Sequence, residues 1–403
     1  MTIASFIPSV TGLNAMSHSL NTVSDNIVNM NTTGYKQKET LFNTLLGNKG
    51  FNYGSQSGLH SSRVAITGVN TWDRDNILQQ GLISNTGKVF DVAISDNRNA
   101  FFTVTDEQGN IFYTRAGDFS KITDNGVTYL QTNGGLHVMG FKSISGGDEF
   151  SSATDEIIFD APDYIPQRST TNVNIYANVP SQDVTSSIYT IGIYSDNYDG
   201  ADLNMVFTKD ETKENSWLLS FNLQEGTATG DAGEVMFNSD GTLRSPQVIN
   251  TTINWDDGSS STIAIDISEM TQFASSSQIT KIEQDGSPSA TLTGFAFDTD
   301  GVLKALYGNS APYNIAKLAI TGFTAPENLD PYNTTLYTAN ADVGNSFYVD
   351  TTELITPNSI ERSTVDLSAE FSKMIVTQRA YSLNAQSFTV NDEMLSLLID
   401  LKS

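Results

Sequence analysis

The sequence predicts a mainly β, multidomain chain, with β-sandwich or barrel-like domains nested between N- and C-terminal α-helices that pair as a coiled coil. Three observations carry this. Heptad spacing occurs at both ends: Phe6, Leu13, Leu20 and Ile27 near the start, and Leu367, Met374, Tyr381, Phe388 and Leu395 near the finish. Between them lie short β-branched and aromatic runs punctuated by Gly and Asp turn signals. Charged residues make up 17% and hydrophobic residues 38%, with Ser, Thr, Asn and Gly filling the difference.

In the first helix, over residues 1–30, Val10 and Val23 join Phe6, Leu13, Leu20 and Ile27 as the apolar assembly face. Pro8 is tolerated in a first turn, where it forfeits no hydrogen bond. Gly12 is a weak point, costing about 1 kcal/mol relative to Ala. The helix then meets Asn26, Asn29, Asn31, Thr32, Gly34 and Tyr35. Asn and Thr side chains bond to nearby backbone and end helices, and Gly34 permits a positive φ. The physical content is a helix stop and a sharp exit, followed by an aromatic anchor.

Residues 31–70, rich in Gly, Ser and Asn, are expected to form an extended linker together with 346–362. Strands follow in 71–145: Phe101–Thr105 and Ile111–Arg115 flank a five-residue hairpin loop containing Gly109. Arg115 and Asp118 are read as fixing the turn after that hairpin. Residues 146–285 are strongly acidic, with short strands and turns at Ser239-Asp240-Gly241, Asp256-Asp257-Gly258 and Gln284-Asp285-Gly286, as in a sandwich or barrel. Residues 286–345 return to hairpins, with Ile315–Ile320 as a buried strand. This half is expected to pair with 71–145 as one discontinuous inner domain, leaving 146–285 as an inserted outer domain.

The last helix, placed with 363–403, has neither Pro nor Gly after Val365. At 1.5 Å per residue, about 35 residues span roughly 50 Å. Phe371, Ile375 and Leu398 lie beside its heptad line. A stripe that long requires a partner, either the N-terminal helix as a coiled coil or an ordinary helical hairpin closing a globular domain.

The 46 acidic and 21 basic residues give a formal charge of −25, which argues against nucleic acid and anionic membranes. No apolar run is long enough to insert in a bilayer, and the first Lys or Arg is Lys36, so no cleaved Sec-type signal peptide is expected. The absence of Cys removes disulfides and thiolate chemistry. His18, His60 and His137 share no ligand spacing, and no nucleophile, phosphate-loop or metalloprotease motif occurs. Asp196 to Asp202 resembles a calcium loop but departs from its pattern at Tyr198 and Gly200. No catalytic residues, metal or cofactors are expected.

Ser24-Asp25-Asn26-Ile27-Val28-Asn29-Met30-Asn31-Thr32-Thr33-Gly34-Tyr35-Lys36 resembles the N-terminal signature of the bacterial flagellar rod and hook protein family. Val365–Phe371, Met374–Tyr381 and Asp392–Leu395 resemble its C-terminal signature. Asp25 and Val28 depart from the usual residues, as does the terminal Ser403. Ala201–Phe207, Trp217 and Phe237–Gly241 are similar to the middle domain of the hook members. The resemblance implies a structural, non-enzymatic subunit of a helical homo-oligomeric polymer, a curved tube that transmits torque. It also implies location at the flagellar hook outside the cell and passage through the type III export apparatus. Distal rod, hook cap, hook–filament junction and hook-length ruler proteins would be its partners. A stiff distal rod subunit, or a β-rich surface adhesin or binding module, is the alternative.

Overall fold

The computed structural model describes residues 6–46, 66–95, 99–181, 186–196, 200–224, 226–230, 233–308 and 310–400. Two helices bracket the chain. Helix α1 is Ile7–Val28, with Pro8 in its first turn, and helix α2 is Leu367–Asp400. The Asp366 carboxylate accepts hydrogen bonds from the Ser368 and Ala369 amides at 2.9 and 3.1 Å, capping α2.

The helices run antiparallel. Asn26 bonds Glu370, Ser9 bonds Ser387, and a Cβ on Gly12 would lie 2.9 Å from the Asn384 side chain. Phe6 meets Phe388 edge-on at 5.4 Å. The seam is thus largely small and polar, which brings the two backbones close together. Only part of the apolar heptad lines enters it.

Strands β1 (Lys38–Leu46) and β2 (Ile66–Asp75) form an antiparallel hairpin in register from Lys38↔Asp75 to Thr44↔Val69. This corrects the expected linker: Leu41, Phe42 and Thr44 against Val69, Thr71 and Trp72 supply β-forming residues that the surrounding glycines obscured. The hairpin lies on α1 through hydroxyls. Thr22 and Thr40 both donate to Asp73 Oδ1, at 3.0 and 2.9 Å, and the Val69 amide donates to Thr11 at 3.3 Å. Gly47, Gly50, Gly54 and Gly58 lie outside the described residues.

The chain divides into two compact units, one of Met1–Ala161, Phe295–Lys304 and Asn314–Ser403, the other of Pro162–Gly294 and Ala305–Tyr313. The first unit is dominated by a thirteen-stranded sheet in which strands distant in sequence alternate: Lys317 pairs with Phe141, Ile320 with Phe102, and Leu336 with Thr114. The second half of the chain therefore completes a sheet begun by the first. The hairpin Ala100–Thr105 and Ile111–Thr114 turns through Asp106, whose carboxylate accepts the Gln108 and Asn110 amides. The expected single strand at Ile315–Ile320 is two, Tyr313–Leu318 and Ile320–Phe323, broken at Ala319.

Two boundaries differ from expectation. Phe150–Glu156 pairs with His137–Ser143, so the second unit starts at Pro162 rather than near 146. Residues 346–362, expected in the linker, supply strands instead: Ser346–Tyr348 on Ile320–Phe323, Ile355–Pro357 on Val92–Ile94, and Ser359–Glu361 on Ile83–Asn85.

The second unit is a sandwich of two five-stranded sheets. Alternation decides which side chains face inward: Leu203, Met205 and Phe207 from one sheet, Ile249, Ile253, Ile263 and Ile265 from the other, all in one core with Trp217. Its turns use the anticipated acidic residues. Asp240 and Asp257 each accept the amide and hydroxyl two residues on, at Thr242 and Ser259, with Gly241 and Gly258 at positive φ.

Candidate functional site

The motif after α1 folds into a buried junction that ties both ends of the chain together. Asn26, in the last turn of α1 and 1% exposed, uses its whole amide. Its Nδ2 donates to the Lys38 carbonyl at 2.9 Å and to Glu370 Oε2 at 3.1 Å. Its Oδ1 accepts the Tyr35 hydroxyl at 3.0 Å and the Lys38 amide at 2.9 Å. Four bonds saturate an asparagine side chain. Glu370, fully buried on α2, also accepts from Gln37 Nε2 at 2.6 Å and Lys373 Nζ at 2.7 Å. One carboxylate thus holds the helix stop, the exit strand and the second helix.

The turn is built by its own residues. Asn29 Nδ2 donates to the Asp25 carbonyl at 2.8 Å, and Thr32 donates to Asn29 Oδ1 at 3.1 Å. Gly34 takes φ +69°, and its amide donates to the Glu361 carbonyl at 2.8 Å. A Cβ there would lie 2.5 Å from the Ala116 nitrogen, so the close approach and the φ both require glycine. Asn31 is exposed.

Beneath the turn lies an ionic cluster. Lys36 Nζ donates to Glu361 Oε1 and the Gln79 carbonyl, both at 2.6 Å, and the Gly81 amide donates to the same Oε1 at 2.7 Å. Arg115 approaches Glu361 Oε2 at 3.5 Å and lies 5.0 Å over the Phe101 ring. All three charged groups are 1% exposed. Burial lowers the Lys36 ammonium to about 8 against the opposing pull of Glu361, and burial likewise lowers Arg115. Burial, then the Asp75 charge, raises the Tyr35 hydroxyl, while burial raises Asp75 itself. A buried cluster of this kind adds little net stability but is costly to break, so it fixes one geometry.

The heptad residues distribute unevenly. Val23 is buried, whereas Phe6, Leu13, Leu20 and Ile27 are half-buried and Val10 is exposed. On α2, Leu367, Met374 and Leu395 are half-buried, whereas Phe371, Ile375, Tyr381 and Phe388 are exposed. The side chain of Leu398 lies outside the described residues.

Glu361, Glu370 and Arg115 were not singled out by sequence reasoning as a junction. Arg115 does not join Asp118, whose carboxylate instead accepts from Asn133 Nδ2. His18 pairs with Asp73 at 3.2 Å, and His137 with Glu156 at 3.0 Å while stacking on Tyr129. His60 and Asn197–Asp199 of the calcium-like loop fall outside the described residues. Among the described residues no cluster of three or more His, Asp or Glu is placed to hold a metal.

Three family models match. They are the flagellar basal body rod FlgEFG protein C-terminal model at 356–401, the flagellar basal body protein FlaE D2 domain at 158–287, and the flagella basal body rod protein at 9–36. The first and third contain the two sides of the junction. The flagellar hook protein FlgE of Salmonella typhimurium is 26% identical over 423 residues, covering 99% of this chain and all of that one. That of Rhizobium meliloti is 28% identical over 426 residues, covering 98% and 97%. The crystal structure of the Helicobacter pylori flagellar hook protein FlgE2 shares the fold at a TM-score of 0.50, with 12% identity, covering 69% of this chain and 99% of that one. The paired terminal helices, the junction after α1 and the three matching models point to the rod and hook class of flagellar axial proteins. Within that class, the chain is similar to flagellar hook proteins over nearly its whole length.

Proposed function

We propose that this chain is the structural subunit of the flagellar hook, self-assembling into a curved, flexible tube that transmits motor torque from rod to filament. One observation carries the assembly mechanism: α1 covers a largely polar face of α2 and leaves Phe371, Ile375, Val376, Leu383, Val390 and Leu397 exposed. Apolar surface on this scale requires partners. Subunits arriving head-to-tail cover it, and contacts that never close extend a helical tube. The junction around Asn26 and Glu370 sets how the helical pair leaves the rest of the first unit. The β domains form the outer layers and slide on their neighbours while the helical core holds.

The role is mechanical rather than catalytic. The subunit passes unfolded through the type III export apparatus, and its terminal helices order fully on assembly. Distal rod, hook cap, hook–filament junction and hook-length ruler proteins are the partners at its ends and in its channel. Expressing the chain in a hookless bacterium tests the proposal. Curved hooks seen by electron microscopy and restored swimming are expected, whereas straight rods or no polymer would reject it.

A further inference from the structure

Helix α2 carries a second heptad line that α1 does not cover. Val376, Leu383, Val390 and Leu397 fall seven residues apart and are 66, 65, 52 and 63% exposed. Three residues on from each lies a polar line of Arg379, Gln386, Glu393 and Asp400. The two lines together have the a and d spacing of a coiled-coil seam, with apolar a and polar d. The face toward α1 is different, carrying the buried Glu370 and Thr377 and the half-buried Asn384. The helix therefore has two seams, one filled within the chain and one open.

We propose that the open seam is covered by the same seam of α2 from a second copy, running parallel and displaced by two heptads. This rests on the hook reading above. The charges select the displacement. With no displacement, Arg379 faces Arg379 and Glu393 faces Glu393. One heptad brings Glu393 against Asp400, again like charges. Two heptads place Arg379 against Glu393 and Gln386 against Asp400, with Val376 on Val390 and Leu383 on Leu397. Three heptads leave a single apolar layer. Like charges across a seam destabilise it, while opposite charges and polar d residues set register.

Fourteen residues at 1.5 Å each displace the copies by about 21 Å along the helix. A parallel displaced contact uses different residues on its two sides, so each copy offers an unused end to the next and the array stays open. An antiparallel pairing would also join Arg379 to Glu393. It would place Val376 on Leu397 and Leu383 on Val390, and close as a dimer.

The chain has no Cys, so paired cysteines report the contact without background. Oxidation of assembled Val376→Cys/Val390→Cys subunits is expected to give a covalent ladder of many copies. Leu383→Cys/Val390→Cys is expected to give none, whereas dimers from it would establish the antiparallel pairing and overturn the proposal. Charge exchange provides an independent readout. Arg379→Glu is expected to lower polymer yield at least tenfold, and adding Glu393→Arg to restore it. If the cysteine variants fail to assemble, this exchange still tests the Arg379–Glu393 contact, and no recovery in the double variant overturns the displacement. Hooks from the unsubstituted chain without a ladder from Val376→Cys/Val390→Cys remove the displacement alone. No hooks from the unsubstituted chain remove the hook reading itself.

Discussion

Asn26 and Glu370, 344 residues apart in sequence, share a buried hydrogen bond of 3.1 Å. Asn26 also holds the Tyr35 hydroxyl and both backbone groups of Lys38, so one amide closes the junction. Replacing it by Ala strands one oxygen of the Glu370 carboxylate, a hydroxyl and two backbone groups, each costing about 1–3 kcal/mol when unmet. With some relief from entering water, Asn26→Ala is expected to destabilise the first unit by about 2–4 kcal/mol in chemical denaturation. The exposed Asn31→Ala is expected to stay within about 0.5 kcal/mol.

Gly34 admits no side chain. Its φ of +69° strains any L residue, and a Cβ would collide with the Arg115–Ala116 backbone. Gly34→Ala is expected to cost at least about 2 kcal/mol and to expose the Lys36–Glu361 pair to solvent. Denaturation together with amide exchange at Lys36 and Gly81 checks this. Unchanged stability would mean that the turn adjusts without loss.

Gly12 makes the opposite prediction. A Cβ there meets the side chain of Asn384 at 2.9 Å rather than backbone, and that side chain can rotate. The about 1 kcal/mol that Ala gains in a helix offsets the displacement. Gly12→Ala is expected to change stability by less than about 1 kcal/mol, while Gly12→Leu should part the helices. Circular dichroism melts of the two variants separate these outcomes.

Lys36 predicts a pH dependence. Burial lowers its ammonium to about 8 from 10.5, so between those values the unfolded chain binds more protons than the folded one. Stability attributable to Lys36 therefore rises with pH across that window, by at most about 1.4 kcal/mol per unit. Below pH 8 both states keep the proton and the cost of burial is constant. Lys36→Met is expected to abolish this rise, so the wild-type chain gains on the variant between pH 8 and 10. A constant difference would show that the Lys36 proton does not respond to folding.

Both helices, the hairpin at 101–114 and the turns of the acidic region were legible because each depends on local periodicity or turn chemistry. The junction was legible only on one side. Asn26 to Lys36 form a dense run whose side chains bond to one another, but Glu361 and Glu370 act across more than 300 residues and look like any other acids in a chain with 46 of them. Arg115 was paired with Asp118 because they are neighbours in sequence, whereas tertiary packing gave it to Glu361. The β1–β2 hairpin was missed because its partners flank a glycine-rich stretch that dominates the local composition. The helix seam was only partly anticipated: the large apolar lines were evident, but Ser9, Gly12 and Asn384 allow closer approach and so occupy the contact.

Hydrogen–deuterium exchange over Ala385–Asp400, compared between dilute monomer and assembled polymer, decides whether the end of α2 waits for a neighbouring copy. Weak protection of this stretch is expected in the monomer and strong protection in the polymer, with Leu203–Phe207 of the sandwich core equally protected in both. Strong protection in the dilute monomer, unchanged on assembly, would contradict coupled ordering.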